Sequence, residues 1–108
     1  MAWALVGVAG ILEIAFALCM KASEGFTRPA PALLTAVAGL SSVILLSLAL
    51  RTLPVGTGYA VWTGIGAAGT AILGMVLLGD AASLARITCL ALIFVGVIGL
   101  KLVTPGGG

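Results

Sequence analysis

The sequence predicts an all-α membrane protein with four transmembrane helices per subunit, and three observations predict it. Hydrophobic residues make up 62% of the chain and charged residues 7%, where soluble domains carry roughly a quarter charged. Four apolar stretches recur within 108 residues, each close to the ~20 helical residues that a hydrocarbon core requires. Apart from Glu13, every charge lies in the short breaks between them or in the terminal turn of a span, so residues 1–108 read as a single transmembrane domain with no room for a soluble one.

The first span is read over residues 3–20, WALVGVAGILEIAFALCM. Nothing before Lys21 is basic, so the stretch lacks the n-region of a cleaved signal peptide and is expected to stay as a span. In the break KASEGFTRPAP, Gly25 interrupts the helix and Lys21, Glu24 and Arg28 carry charge. Pro29 and Pro31 then suit the first turn of a new helix, where a missing N–H costs nothing. The second span is placed over residues 32–50 and stopped by Arg51, and Leu53-Pro54-Val55-Gly56 makes a minimal connection. The third, over residues 55–78, holds Tyr59 and Trp62 together with Gly56, Gly58, Gly64, Gly66, Gly69 and Gly74. Glycine weakens a helix but permits close contact and bending, so a kink and hinge is expected at Gly64 to Gly66. Gly79-Asp80 ends this span, and a short loop leads into the fourth, over residues 84–103, after which the final glycines are expected to fray.

Four spans place both termini on one side of the membrane. That side holds Arg51 and Lys101, and the other holds Lys21, Arg28 and Arg86. Basic residues mark the cytoplasmic side, and two against three is almost no bias. Such weak orientation fits a protein that inserts both ways and assembles as an antiparallel, dual-topology homodimer; a small bias that fixes one orientation is the open alternative.

Glu13 is the only charged residue in the first span and lies near its middle. A carboxylate at mid-membrane costs a few kcal/mol, roughly 2.5 to 3.5 for Asp on insertion scales, and marks a functional site by default. Gly10, Phe16 and Ala17 share its helical face at i−3, i+3 and i+4, and small neighbours leave room for a cationic guest that exchanges with a proton. The plainer role, a protonated acid acting as a hydrogen-bonded tie between helices, would be met at lower cost by Gln or Ser. Ser41, Ser42 and Ser47 are neutral donors in the second span, although such hydroxyls more often bond their own helix four residues back. Tyr59 and Trp62, at i and i+3, supply aromatic faces that attract desolvated cations. Gly96 and Gly99 form a small-residue seam suited to dimer packing, and Lys101 suits an interfacial position with its ammonium among lipid headgroups.

Other chemistries find little support. Gly64-Ile65-Gly66-Ala67-Ala68-Gly69 matches the dinucleotide pattern letter for letter but sits in an apolar span with no preceding strand. The chain holds no histidine, no metal-ligating cluster and no nucleophile beside a base, so it is not read as an enzyme and needs no cofactor or metal beyond protons as coupling ion. Its basic residues are scattered singly, which gives no nucleic-acid surface and leaves membrane lipid as the surrounding partner. Cys19 and Cys89, both in apolar segments, read as small core residues.

Glu13, the stretch EGFTRPAP at Glu24 to Pro31, and LPVGTGYAVWTGIG at Leu53 to Gly66 together resemble the small multidrug resistance family of proton-coupled exporters, over nearly the whole chain. Gly10, Ser42, Tyr59, Trp62 and Lys101 stand where the guanidinium-exporting subtype has them. Gly39 stands where the quaternary ammonium subtype usually has an aromatic residue. Phe16 departs from the guanidinium subtype, which typically places there a tryptophan that donates to the central glutamate; phenylalanine has no donor.

The resemblance implies an antiparallel homodimer in the bacterial inner membrane, with one shared site holding both Glu13 carboxylates and alternating access across it. Two carboxylates facing each other in a low-dielectric cavity cannot both ionise cheaply, so protons and cation compete for one charge, and a planar guanidinium can pair its N–H groups with a carboxylate. On this reading Ser42 orients Glu13, Tyr59 and Trp62 line the site, and Gly64 and Gly66 let it face either side. The expected function is proton-coupled export of guanidinium or small substituted guanidinium cations; the alternative, kept open by Phe16, is polyselective export of quaternary ammonium and other lipophilic cations.

Overall fold

A computed structural model describes residues 1–104. These form four helices, α1 (Ala2–Ala22), α2 (Pro29–Ala49), α3 (Val55–Leu77) and α4 (Leu84–Val103). Each has 20 to 23 residues and a mean hydropathy of 1.7 to 2.2, and at ~1.5 Å per residue each is about as long as the hydrocarbon core is thick. The terminal glycines lie outside the described residues.

The helix ends differ from expectation by up to three residues, for local reasons. α1 runs on to Ala22 because Ser23 ties off its end: the Ser23 N–H donates to Cys19 O at 2.9 Å and its hydroxyl to Met20 O at 2.6 Å. The connection then turns through three successive left-handed residues, Glu24 (φ 50°), Gly25 (φ 73°) and Phe26 (φ 66°). Phe26 N–H closes it onto the Ser23 hydroxyl at 3.0 Å. α2 begins at Pro29, three residues before the expected start. Arg28 is extended (φ −99°, ψ 116°), as the residue before a proline must be, so Pro29 enters the helix at its first position. α3 is one unbroken helix through Gly64 and Gly66, which corrects the expected kink: glycine permits bending without imposing it. Its end is fixed by Gly74 O, which accepts from Leu78 N at 3.0 Å and Asp80 N at 3.1 Å. Ser83 caps α4, its hydroxyl accepting from Arg86 N at 3.2 Å.

α1 packs against both α2 and α3, whereas α4 packs against α3 alone. The result is a slab of 43 × 34 × 16 Å, its shortest dimension little more than the ~10–12 Å diameter of one helix. The buried cluster is built mostly from small residues, Ala2, Val6, Ala9, Ala49 and Val61, joined by Leu46 and Leu53. Small residues allow the close backbone approach that drives helix association where lipid removes the hydrophobic incentive. Bulky side chains such as Leu40, Ile44, Val76 and Leu92 face outward, and no described residue of α4 is buried. Cys89 accordingly lies exposed on α4 rather than in a core.

Candidate functional site

Glu13 sits midway along α1, while every lysine and arginine lies at or beyond a helix end or in its terminal turns. Its Oε2 is buried and has no hydrogen-bond partner among the described residues. The carboxylate rests on the backbone of α3 at Gly66, where a Cβ would collide with Oε2. Gly66 is therefore the seat of the carboxylate, a role that a hinge assignment from sequence does not capture.

In front of Glu13 lies a cavity of about 360 Å³ between α1, α2 and the Trp62 ring. Phe16 and Trp62 contribute aromatic walls, and Thr35, Ala36, Gly39, Leu40, Ser42 and Val43 of α2 form the rest. Phe16 reaches across because Gly39 has no side chain: a Cβ there would come within 2.7 Å of the Phe16 ring. Of this α2 wall the sequence pointed to Ser42 and Gly39 but not to Thr35, Ala36, Leu40 or Val43, although Thr35, Gly39 and Ser42, spaced four and three apart, form a stripe of small and polar residues along one helical face.

Ser42 does not orient Glu13 here. Its hydroxyl donates to Ala9 O of α1 at 2.6 Å and accepts from the Trp62 indole N–H at 2.8 Å. A hydroxyl has a single hydrogen to give, and this one joins α2 to α1 while fixing Trp62 of α3. Gly10 is likewise not at the cavity. It receives Ile65 of α3, whose Cγ2 would lie 2.6 Å from a Cβ at Gly10, so it brings α1 and α3 together instead of widening the space around Glu13. Tyr59 stacks on Trp62, with ring centroids 5.3 Å apart and planes tilted by 55°, and is 56% exposed; it extends the aromatic wall outside the cavity lining. Gly64 accommodates Val97 and so seats α4 on α3. Gly96 and Gly99 face open space within the chain. Lys101 is remote from Glu13, with its ammonium 5.9 Å from the centroid of the Trp3 ring.

A carboxylate held in such an enclosure is completed by a proton or by a cation, since an unpaired charge there is costly. The cavity walls present aromatic faces and aliphatic surface, with Glu13 as the acidic group. One acid thus faces an apolar, aromatic-walled cavity on a fold of membrane-crossing helices. The chain belongs to the Small Multidrug Resistance protein family, whose profile matches residues 1–93, and is a multi-pass membrane protein. It is similar to the guanidinium exporter of Yersinia pseudotuberculosis serotype I, strain IP32953, with 59% identity over 102 residues covering 94% of this chain and 98% of that protein. The guanidinium exporter of Citrobacter freundii is 54% identical over 104 residues, covering 96% and 99%. That of Salmonella typhimurium strain LT2 is 52% identical over 102 residues, covering 94% and 97%.

Proposed function

We propose that this protein exports guanidinium or small substituted guanidinium cations from the bacterial cytoplasm in exchange for protons, acting as an antiparallel homodimer in the inner membrane. The observation that carries the reading is the partnerless Glu13 carboxylate oxygen facing an apolar, aromatic-walled cavity. The three relatives, each a guanidinium exporter by name, supply the substrate class.

In the proposed cycle a guanidinium replaces the proton at Glu13 and pairs its N–H groups with the carboxylate oxygens. Phe16 and Trp62 flank its faces, where ring quadrupoles favour a desolvated cation, and Tyr59 extends that wall. Two copies bring two Glu13 side chains to one site, and their mutual repulsion makes protonation and cation binding alternatives. Gly64 and Gly66 supply the compliance in α3 that a change of access needs, and Gly96 and Gly99 the close packing between subunits. Reprotonation from outside releases the cation, so the proton gradient drives export.

The test is guanidinium-driven proton movement in proteoliposomes. Wild-type protein is expected to move protons when guanidinium is added, and Glu13→Gln to move neither. Continued exchange by Glu13→Gln would overturn the mechanism, and guanidinium flux without protons would identify a pore.

Phe16 favours a second reading. Its ring brings no N–H to Glu13, and Leu40 and Val43 complete an aliphatic wall, which suits bulkier lipophilic cations. Comparing guanidinium, guanylurea, alkylguanidinium and tetraalkylammonium compounds in the same assay separates the two: transport of tetraalkylammonium at rates similar to guanidinium would favour the polyselective exporter.

A further inference from the structure

A second cavity, of about 420 Å³, lies between α1 and α4 with α3 as its floor. Val61 and Ile65 of α3 form that floor, Val97, Ile98 and Leu102 form one wall, and Trp3 and Lys101 stand at the mouth. It shares no lining residue with the Glu13 cavity. The gap exists because the backbone of α4 packs closely only on α3, so from α1 only the Trp3 side chain reaches the space beside it.

We propose that this groove is a binding site for an anionic phospholipid, with the lipid phosphate at Lys101 and the upper acyl chain along Ile98, Val61 and Ile65. The sequence of groups matches the lipid from headgroup to tail: an exposed ammonium, an indole at the depth where tryptophan anchors at the interface, then aliphatic surface. Lys101 is held over the Trp3 ring, 5.9 Å from its centroid, which fixes the cation at the mouth while leaving its N–H donors open to phosphate. The charge around it has one sign. Arg51 and Lys101 lie at the end of the molecule where α1 and α3 begin and α2 and α4 finish, while the acids Glu24 and Asp80 lie at the opposite end and Glu13 lies between.

The same charges disfavour α4 of a second copy as the occupant. That helix carries Arg86 near one end and Lys101 near the other, so whichever way it lies it sets a cation beside Lys101. The acid closest to it in sequence, Asp80, is folded back onto Gly74 of its own chain. A lipid phosphate has no such conflict.

Native mass spectrometry of the detergent-solubilised full chain tests the site, with dioleoylphosphatidylglycerol, dioleoylphosphatidylcholine and sn-glycerol 3-phosphate added separately. Wild-type protein is expected to retain phosphatidylglycerol about fivefold better than phosphatidylcholine, the equivalent of the ~1 kcal/mol that one basic residue contributes near an anionic surface. Lys101→Gln should abolish the preference and Lys101→Arg keep it. Ile98→Trp, which fills the groove from an exposed position without touching the charge, should reduce retention of both lipids. Glycerol 3-phosphate should not bind, since it lacks the chains. Equal retention of the two lipids by wild type, an undiminished preference in Lys101→Gln, or binding of glycerol 3-phosphate would each overturn the proposal. So would a Lys101→Gln protein with unchanged lipid retention and a smaller dimer fraction, which would make the groove a seat for the second copy.

Discussion

At the scale of single residues, the Ser42 hydroxyl and the Gly66 hydrogen hold the site in shape. Ser42→Ala removes the acceptor of the Trp62 indole and the donor to Ala9 O. In water an orphaned buried donor costs ~1–3 kcal/mol, but hydrogen bonds between membrane helices average only about 0.6 kcal/mol and reach about 1.7. The membrane figure governs here. A double-mutant cycle of Ser42→Ala and Trp62→Phe, read by reversible unfolding in mixed micelles, should give a coupling of about 1 kcal/mol; a coupling indistinguishable from zero would mean the bond does not hold the helices. Gly66→Ala drives a methyl into the space of the Glu13 carboxylate and should abolish transport in a protein that still inserts and folds. Gly7→Ala is the matched control, since a Cβ there meets nothing within 4 Å; it should retain transport and gain up to about 1 kcal/mol of helix stability. Glu13 was legible in the sequence because one charge in an apolar run has a cost that demands a reason. The partners of Ser42 and Gly66 were not, because both contacts join helices far apart in sequence, and helical periodicity reports which residues share a face without saying what that face meets.

At the scale of helices, the number, order and approximate ends of the four were legible, because each apolar run is bounded by charge, glycine or proline. Their unequal packing was not. All four helices have similar hydropathy, yet α1 carries the small residues that let α2 and α3 close on it, while α4 packs its backbone on α3 alone and has no fully buried residue among those described. That exposure puts a specific consequence on Gly96 and Gly99, at which a Cβ meets nothing within 4 Å. Within one chain Gly99→Leu therefore costs little, and a strong effect reports contact with another copy. We expect Gly99→Leu to lower the dimer fraction, measured by glutaraldehyde crosslinking in detergent, with the helical circular dichroism signal unchanged. A fully dimeric Gly99→Leu protein would place the subunit contact elsewhere.

At the scale of the whole molecule, a slab only 16 Å deep is too thin to surround a cavity of about 360 Å³ on all sides, and the Glu13 site opens at the face that one copy leaves uncovered. A second copy can close it in either of two ways, and the basic residues decide which. With Arg51 and Lys101 on one side and Lys21, Arg28 and Arg86 on the other, the charge bias is almost nil, and the proposed antiparallel homodimer requires both orientations to coexist in one membrane. Forcing the orientation should then destroy function in a recoverable way. Ala81→Lys with Ala82→Lys raises the loop side to five basic residues against two. Thr52→Lys with Arg28→Gln and Arg86→Gln reverses the bias to three against one. None of these positions touches the Glu13 cavity, and basic residues near span ends are what set orientation. Each altered protein alone should fail to confer guanidinium tolerance, and the two expressed together should restore it. If each alone were active, subunits pointing the same way would suffice, and the Glu13 site would be completed by a parallel partner.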